Sequence, residues 1–210
     1  MQQGWIITDP SRMLKRRKPR PDRARALSRP ELEQLLTRED MSVPERTFWR
    51  MLYETAARSA EVLALDVEDL DLSSRRARVR RKGGAIDIIV WQTGMARLVP
   101  RLLKGRTSGP VFVTEREARV QLPATDLDLC GRARLSYQQA AALFSEASGG
   151  ATLQHLRHSA LTHDAEEGTG TPMLMARSGH TSVRSLARYA RVSAEALARH
   201  QAERDPARRR

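Results

Sequence analysis

The sequence predicts a mostly helical α+β domain with a small β-hairpin or sheet at one edge. Three observations predict it. Through most of the chain, apolar residues recur at helical spacing behind good N-cap residues. One stretch, residues 76–90, alternates with period two about a Gly83-Gly84 turn. A hydrophobic content of 40% over 210 residues is enough for one ordinary core.

The elements follow in order. Residues 11–25 hold eight basic residues, one acid and two prolines, with almost nothing to bury, so this segment reads as a linker or arm that contacts nucleic acid. Lys15, Arg16 and Arg17 sit in its densest run. Ser28-Arg29-Pro30-Glu31 is a capping box, and Leu32, Leu35 and Leu36 supply the apolar face behind it, so the folded domain begins near Leu27. A second helix starts after Ser42-Val43-Pro44, stacks Phe48, Leu52 and Thr55, and ends near Ala57. A further helical turn carries Glu61, Val62 and Leu65, and an acidic loop from Asp66 to Asp71 follows.

Arg76-Ala77-Arg78-Val79-Arg80 and Ile86-Asp87-Ile88-Ile89-Val90 form the hairpin, with Lys82 at its tip. Residues 93–103 read as helix, Val111-Phe112-Val113 as a short buried strand, and residues 115–134 as loop. Helices over 136–147 and 152–167 are broken by Ser148-Gly149-Gly150 and Gly168-Thr169-Gly170, and three short helices cover 172–177, 182–188 and 193–201. The resulting division is 1–26 as an arm, 27–202 as the folded domain and 203–210 as a basic tail. No internal repeat is present.

A formal net charge of +12 seeks polyanions, nucleic acid first and an anionic membrane surface second. Thirty-three of the cations are Arg and four are Lys. Aromatic residues make up only 4%, which argues against binding single strands by base stacking and for phosphate contacts. The single cysteine, Cys130, excludes an intramolecular disulfide framework and a multi-cysteine zinc module, and the chain reads as cytoplasmic. No apolar run approaches the roughly 20 residues of a membrane span, and residues 1–10 carry no long apolar run behind a basic start, so secretion is not expected.

Four features carry chemistry. Arg58 and Glu61 lie in Thr55-Ala56-Ala57-Arg58-Ser59-Ala60-Glu61-Val62-Leu63, and Lys82 projects from the hairpin. Arg157 lies in Gln154-His155-Leu156-Arg157-His158-Ser159, and Gly179-His180 precedes Tyr189 by nine residues. From about Leu27 to about Ala198 this set resembles the catalytic domain of the tyrosine recombinases, the phage integrase family. By that resemblance the first arginine falls on Arg58 with its trailing acid on Glu61, and the hairpin lysine falls on Lys82. The second arginine falls on Arg157 with His158 after it, the Leu-Gly-His motif on Ser178-Gly179-His180, and the nucleophile on Tyr189. The implied fold is the tyrosine recombinase catalytic-domain fold.

The chemistry makes sense of these residue types. Breaking a phosphodiester without a metal or other cofactor needs a nucleophile, cations around an oxyanion and an acid for the departing alkoxide. Arginine's planar fork grips two phosphate oxygens, so Arg58, Arg157 and His180 would form a clamp. A phosphotyrosyl ester on Tyr189 stores the bond energy, so rejoining needs no ATP, and Arg188 and Arg191 lower the cost of its phenolate. Lys82, a lysine in a run of arginines, has a tunable proton to donate. Arg78, Arg80 and Arg81, with Lys15, Arg16 and Arg17, would track the flanking DNA backbone. Glu61 and His158 would support the site, and Glu61 is expected to be buried or bonded to a neighbouring backbone or arginine. His163 and His200 read as ordinary histidines, and no acid or thiol cluster makes His155 and His158 a metal site.

Two features depart from the family pattern. A histidine is expected three residues before Arg157, and that position is Gln154, which hydrogen-bonds but cannot shuttle a proton. At about 100° per residue, Gln154 lies roughly 60° from Arg157 and His155 roughly 160° away, so His155 points away from the phosphate. Only residues 1–26 precede the catalytic fold, where the family places a helical core-binding domain, so 1–26 reads as a linker or a remnant of that domain. The resemblance implies double-stranded DNA as partner, a 3′-phosphotyrosyl intermediate, residues 193–201 docking on a neighbouring protomer, and a homotetramer on DNA. A type IB topoisomerase uses the same residues, and a catalytically impaired DNA-binding relic is the remaining alternative.

Overall fold

The computed structural model describes residues 26–81, 83–187, 189 and 194–205. Lys82, Lys15, Arg16, Arg17, Arg188, Arg191 and residues 206–210 lie outside the described residues. Helix α1 (Arg29–Thr37) opens with the Ser28 capping box and buries Leu32, Leu35 and Leu36. The backbone N–H of Leu27 donates to Ser159 Oγ at 2.8 Å, which ties the start of the domain to a distant helix.

Helix α2 (Val43–Thr55) is the central element. Ser42 and Glu45 cap it reciprocally, with Pro44 in the first turn where its missing N–H costs nothing. Its Phe48, Trp49, Met51 and Leu52 are almost fully buried, each contributing about 1.5–3 kcal/mol by leaving water. Phe48 meets Phe112 edge-on at 5.1 Å, and Trp49 meets Phe144 at 5.4 Å. Helix α3 (Ser59–Leu63) follows after a sharp turn.

The sheet has antiparallel order β1 (Leu70–Asp71), β2 (Arg76–Arg80) and β3 (Ile86–Val90). The first strand corrects the expectation of a plain acidic loop: Leu70 pairs with Ala77 and Asp71 with Arg76. Alternation sends Ala77, Val79 and Ile89 into the core, while Arg76, Arg78 and Arg80 face outward beside Ile86, Ile88 and Val90.

Helix α4 (Thr93–Leu103) starts on a buried acid. Glu54 of α2, 5% exposed, accepts from Gln92 N at 2.8 Å and from Met95 N at 3.2 and 3.3 Å. This carboxylate joins the central helix to the end of the hairpin and satisfies N–H groups that the helix start leaves unpaired. Glu54→Ala is expected to cost about 2–3 kcal/mol in urea unfolding, because buried N–H groups lose a charged acceptor.

Residues 115–134 are strand at both ends, where the sequence predicts loop throughout, and irregular over 118–131. Strands β4 (Val113–Glu117) and β5 (Arg132–Arg134) pair antiparallel. Side-chain ionic bonds hold this second sheet. Asp128 accepts from Arg132 Nη2 at 2.6 Å and from the backbone N–H groups of Cys130 and Arg132, and Arg134 bonds Asp66 and Asp126. A polar staple of this kind leaves no period-two apolar signal.

Helices α5 (Tyr137–Ala147), α6 (Leu153–Glu166), α7 (Thr171–Ser178), α8 (Val183–Leu186) and α9 (Ala194–Arg204) complete the described residues. Helix α9 packs against its own chain. His200 of α9 lies 3.7 Å from where a Cβ on Gly168 would stand, so the bare glycine makes the approach possible. Among the described residues no helix is long and apolar enough to cross a membrane.

Candidate active site

The site is built where the ends of α2, α6 and α7 meet. Helix α2 stops at Ala56, which takes the left-handed conformation (φ 51°), and Arg58 then caps α3. Ala56 and Ala57 are fully buried, and their small side chains leave the Ala56 carbonyl accessible to Arg157 from α6. Arg157 is 7% exposed; its Nη1 donates to Ala56 O and its Nη2 to Ser178 O at 2.7 Å. One guanidinium thus fixes the C-termini of α2 and α7 relative to each other. Burial, then the nearby Arg58 charge, pulls the Arg157 pKa below its ordinary value, while Tyr189 and Glu61 oppose that shift. Arginine stays protonated regardless, so the result is a poorly compensated cation facing Arg58 and Tyr189.

Glu61 is the shared counter-ion. Its Oε1 accepts from Arg58 Nη1 at 2.7 Å, and its Oε2 accepts from Arg58 N and from Arg81 Nη1, both at 2.9 Å. Arg58 keeps a side chain 39% exposed, so donors remain for a ligand. Arg81 corrects the sequence reading, which placed it with Arg78 and Arg80 on the DNA-tracking face. It is 8% exposed, paired with Glu61 and, through Nε at 3.0 Å, with Asp87. Arg81 Nη1 also approaches Ser178 O at 3.5 Å. The physical reason is its place just past β2, where the strand alternation ends and Glu61 and Asp87 offer charge compensation that Arg80 lacks. Gly179 (φ +63°) makes room for it, since a Cβ there would stand 2.7–2.9 Å from the Arg81 guanidinium.

His180 follows at the end of the α7 turn, its Nδ1 2.7 Å from Ser178 Oγ. Tyr189 is 4% exposed and clusters with Ala56, Ala160, Leu161, Leu174 and Leu186. Its ring is tilted against two imidazoles, 5.0 Å from His158 and 5.7 Å from His180 between centroids. The other two tyrosines sit differently. Tyr53 shares a 3.0 Å hydrogen bond with His163 Nδ1, and burial raises its pKa; Tyr137 is 53% exposed at the start of α5.

The structure therefore brings together Arg58, Glu61, Arg157, His158, His180 and Tyr189. A cleft of about 970 Å³ opens beside them, lined by Arg58, Arg81, His180, Met173 and the apolar outer face of β3. Arg78 and Arg80 stand exposed on the outer sheet face. Gln154 is exposed in the first turn of α6, and His155 caps its own helix, its Nδ1 accepting from Thr152 N at 3.0 Å. Sequence reasoning missed the structural parts played by Ser178, Asp87 and Arg177. Arg177 locks α7 onto the end of α2 by donating to Glu54 O at 2.6 Å while it pairs with Asp164. The lone acid among the branched residues of β3 was the available signal for Asp87. Nothing local marked the other two.

The chain is similar to known proteins in sequence and in fold. The chain is 32% identical over 181 residues to the tyrosine recombinase XerC 2 of Ralstonia nicotianae, covering 81% of this chain and 50% of that protein. It is 30% identical over 159 residues to the tyrosine recombinase XerD of Mycobacterium leprae, covering 72% of this chain and 49% of that protein. The chain thus spans about half the length of the curated relatives it matches. In fold it is similar to the crystal structure of the XerA recombinase (TM-score 0.72, 19% identity, 92% of this chain and 67% of that one). It is also similar to the Tn1549 transposon integrase in complex with circular intermediate DNA (TM-score 0.61, 18% identity, 93% of this chain and 69% of that one). The phage integrase family model matches residues 25–196, which takes in Arg58, Arg157, His180 and Tyr189, and the chain belongs to that family.

Proposed function

We propose that the chain breaks and rejoins duplex DNA as a site-specific tyrosine recombinase. The observation that carries this reading is the convergence of Arg58, Arg157, His180 and Tyr189 on the one turn after α7. Arg58, Arg81 and Arg157 outnumber Glu61 and Asp87 there, so the site favours an incoming phosphodiester anion. Tyr189 loses its phenolic proton to solvent water, attacks phosphorus and forms the 3′-phosphotyrosyl ester. The bond to the 5′ oxygen breaks, and Lys82 protonates that oxygen; rejoining runs the same steps in reverse. Double-stranded DNA is the partner, consistent with the DNA complex of the Tn1549 integrase. A homotetramer on two duplexes is the working assembly, in which α9 leaves its own chain to dock on a neighbour. Arg78 and Arg80 follow the flanking backbone, as Lys15, Arg16 and Arg17 do from the arm.

The test uses a pool of nicked duplexes of randomised sequence, incubated with the protein in EDTA and denatured in SDS. A protein–DNA adduct is expected, and its absence favours the relic reading that Gln154 suggests. Because Gln154 cannot accept the phenolic proton, Gln154→His is expected to speed adduct formation by about tenfold or more under saturating DNA.

A further inference from the structure

Ser178 stands where the family places a leucine, and its hydroxyl has a consequence for His180. The hydroxyl has one hydrogen, and the oxygen lies 2.6 Å from Leu174 O, a separation that is repulsive unless that hydrogen lies between them. Toward His180 Nδ1, at 2.7 Å, the same oxygen then acts only as acceptor. Nδ1 must therefore carry a proton, and the neutral ring has its lone pair on Nε2. A ring in that tautomer cannot donate from Nε2 to a phosphate oxygen; it donates only as the imidazolium.

We propose that Ser178 is a positioning residue that fixes His180 in the Nδ1–H form, so that His180 joins the phosphate clamp only when protonated. This rests on the recombinase reading of the site. Among the described residues, Arg58, Arg81, Arg157, Arg177, Glu61, Asp87 and Tyr189 are the charged and titratable groups grouped about this turn, with His158 across the Tyr189 ring. The bound phosphodiester is the anion that favours the cation. Stabilisation of the transition state is then complete below the His180 pKa in the complex and is lost as pH rises through it. With no hydroxyl at position 178, the neutral ring is free to carry its proton on Nε2 and to donate without charge. The Ser178 carbonyl that Arg157 and Arg81 hold is part of the backbone and survives the substitution.

The experiment has two arms. Nitrogen-15 spectra of the free wild-type protein, with His180 assigned through His180→Gln, are expected to show the neutral ring protonated on Nδ1, and Ser178→Ala to move the proton to Nε2. A wild-type ring protonated on Nε2 overturns the proposal whatever the protein does to DNA. In the second arm, adduct formation on the randomised nicked pool is followed from pH 6 to pH 9. The wild-type rate is expected to fall about tenfold more than that of Ser178→Ala over this range. Parallel profiles for the two proteins overturn the proposal. No adduct from wild type at any pH refutes the recombinase reading, and the spectra alone then judge the tautomer.

Discussion

Tyr189→Phe is expected to bind the nicked pool as tightly as the parent and to form no covalent adduct, a loss of at least ~10⁴-fold in cleavage. Phe keeps the ring that packs with Ala56, Leu161, Leu174 and Leu186, so unfolding free energy is expected to change by only about 1 kcal/mol. The two remaining tyrosines cannot substitute. Tyr53 is committed to His163, and Tyr137 opens α5 outside the cluster of arginines. A filter-binding titration beside the denaturing gel separates the two effects, and an intact adduct in the variant assigns the nucleophile elsewhere.

The second large effect belongs to Arg157→Lys. The guanidinium spans Ala56 O and Ser178 O with separate nitrogens, and a lysine ammonium is a single point on a flexible stem that cannot hold both at once. One buried carbonyl loses its partner, at a cost of about 1–3 kcal/mol, readable in urea unfolding. Catalysis suffers more, because the ends of α2 and α7 no longer hold Arg58 and His180 in register. A fall of about 10²–10³-fold in the adduct rate is expected, comparable to removing one preorganised donor from an oxyanion site. A drop in stability with an unchanged rate would make Arg157 a structural residue alone.

Much of this was legible in the chain. The capping box at Ser28, the Ser42-Val43-Pro44 start and the apolar spacing behind them located α1 and α2, because caps and helical periodicity are local signals. The hairpin was equally plain from its alternation. The β4–β5 pair was not, since Asp128, Arg132 and Arg134 hold it through charges rather than buried side chains. Within the site, the order and separation of Arg58, Arg157, His180 and Tyr189 were readable as motif. The burial of Arg81 was hidden, because six of the eight residues 75–82 are basic and read as a solvated run, and only Glu61, Asp87 and the bare Gly179 bring Arg81 inside. The part played by Ser178 needed the geometry of a turn whose hydroxyl bridges a helix carbonyl and an imidazole.

The central claim is that Tyr189 becomes covalently joined to a DNA 3′ end. Adduct trapped on the nicked pool, digested with nuclease and protease and sequenced by tandem mass spectrometry, measures this directly. A residual 3′-nucleotide phosphate on the tyrosine of the peptide containing Tyr189 is the predicted result. The same mass on Tyr53, Tyr137 or any other side chain, or on a 5′ end, would contradict it.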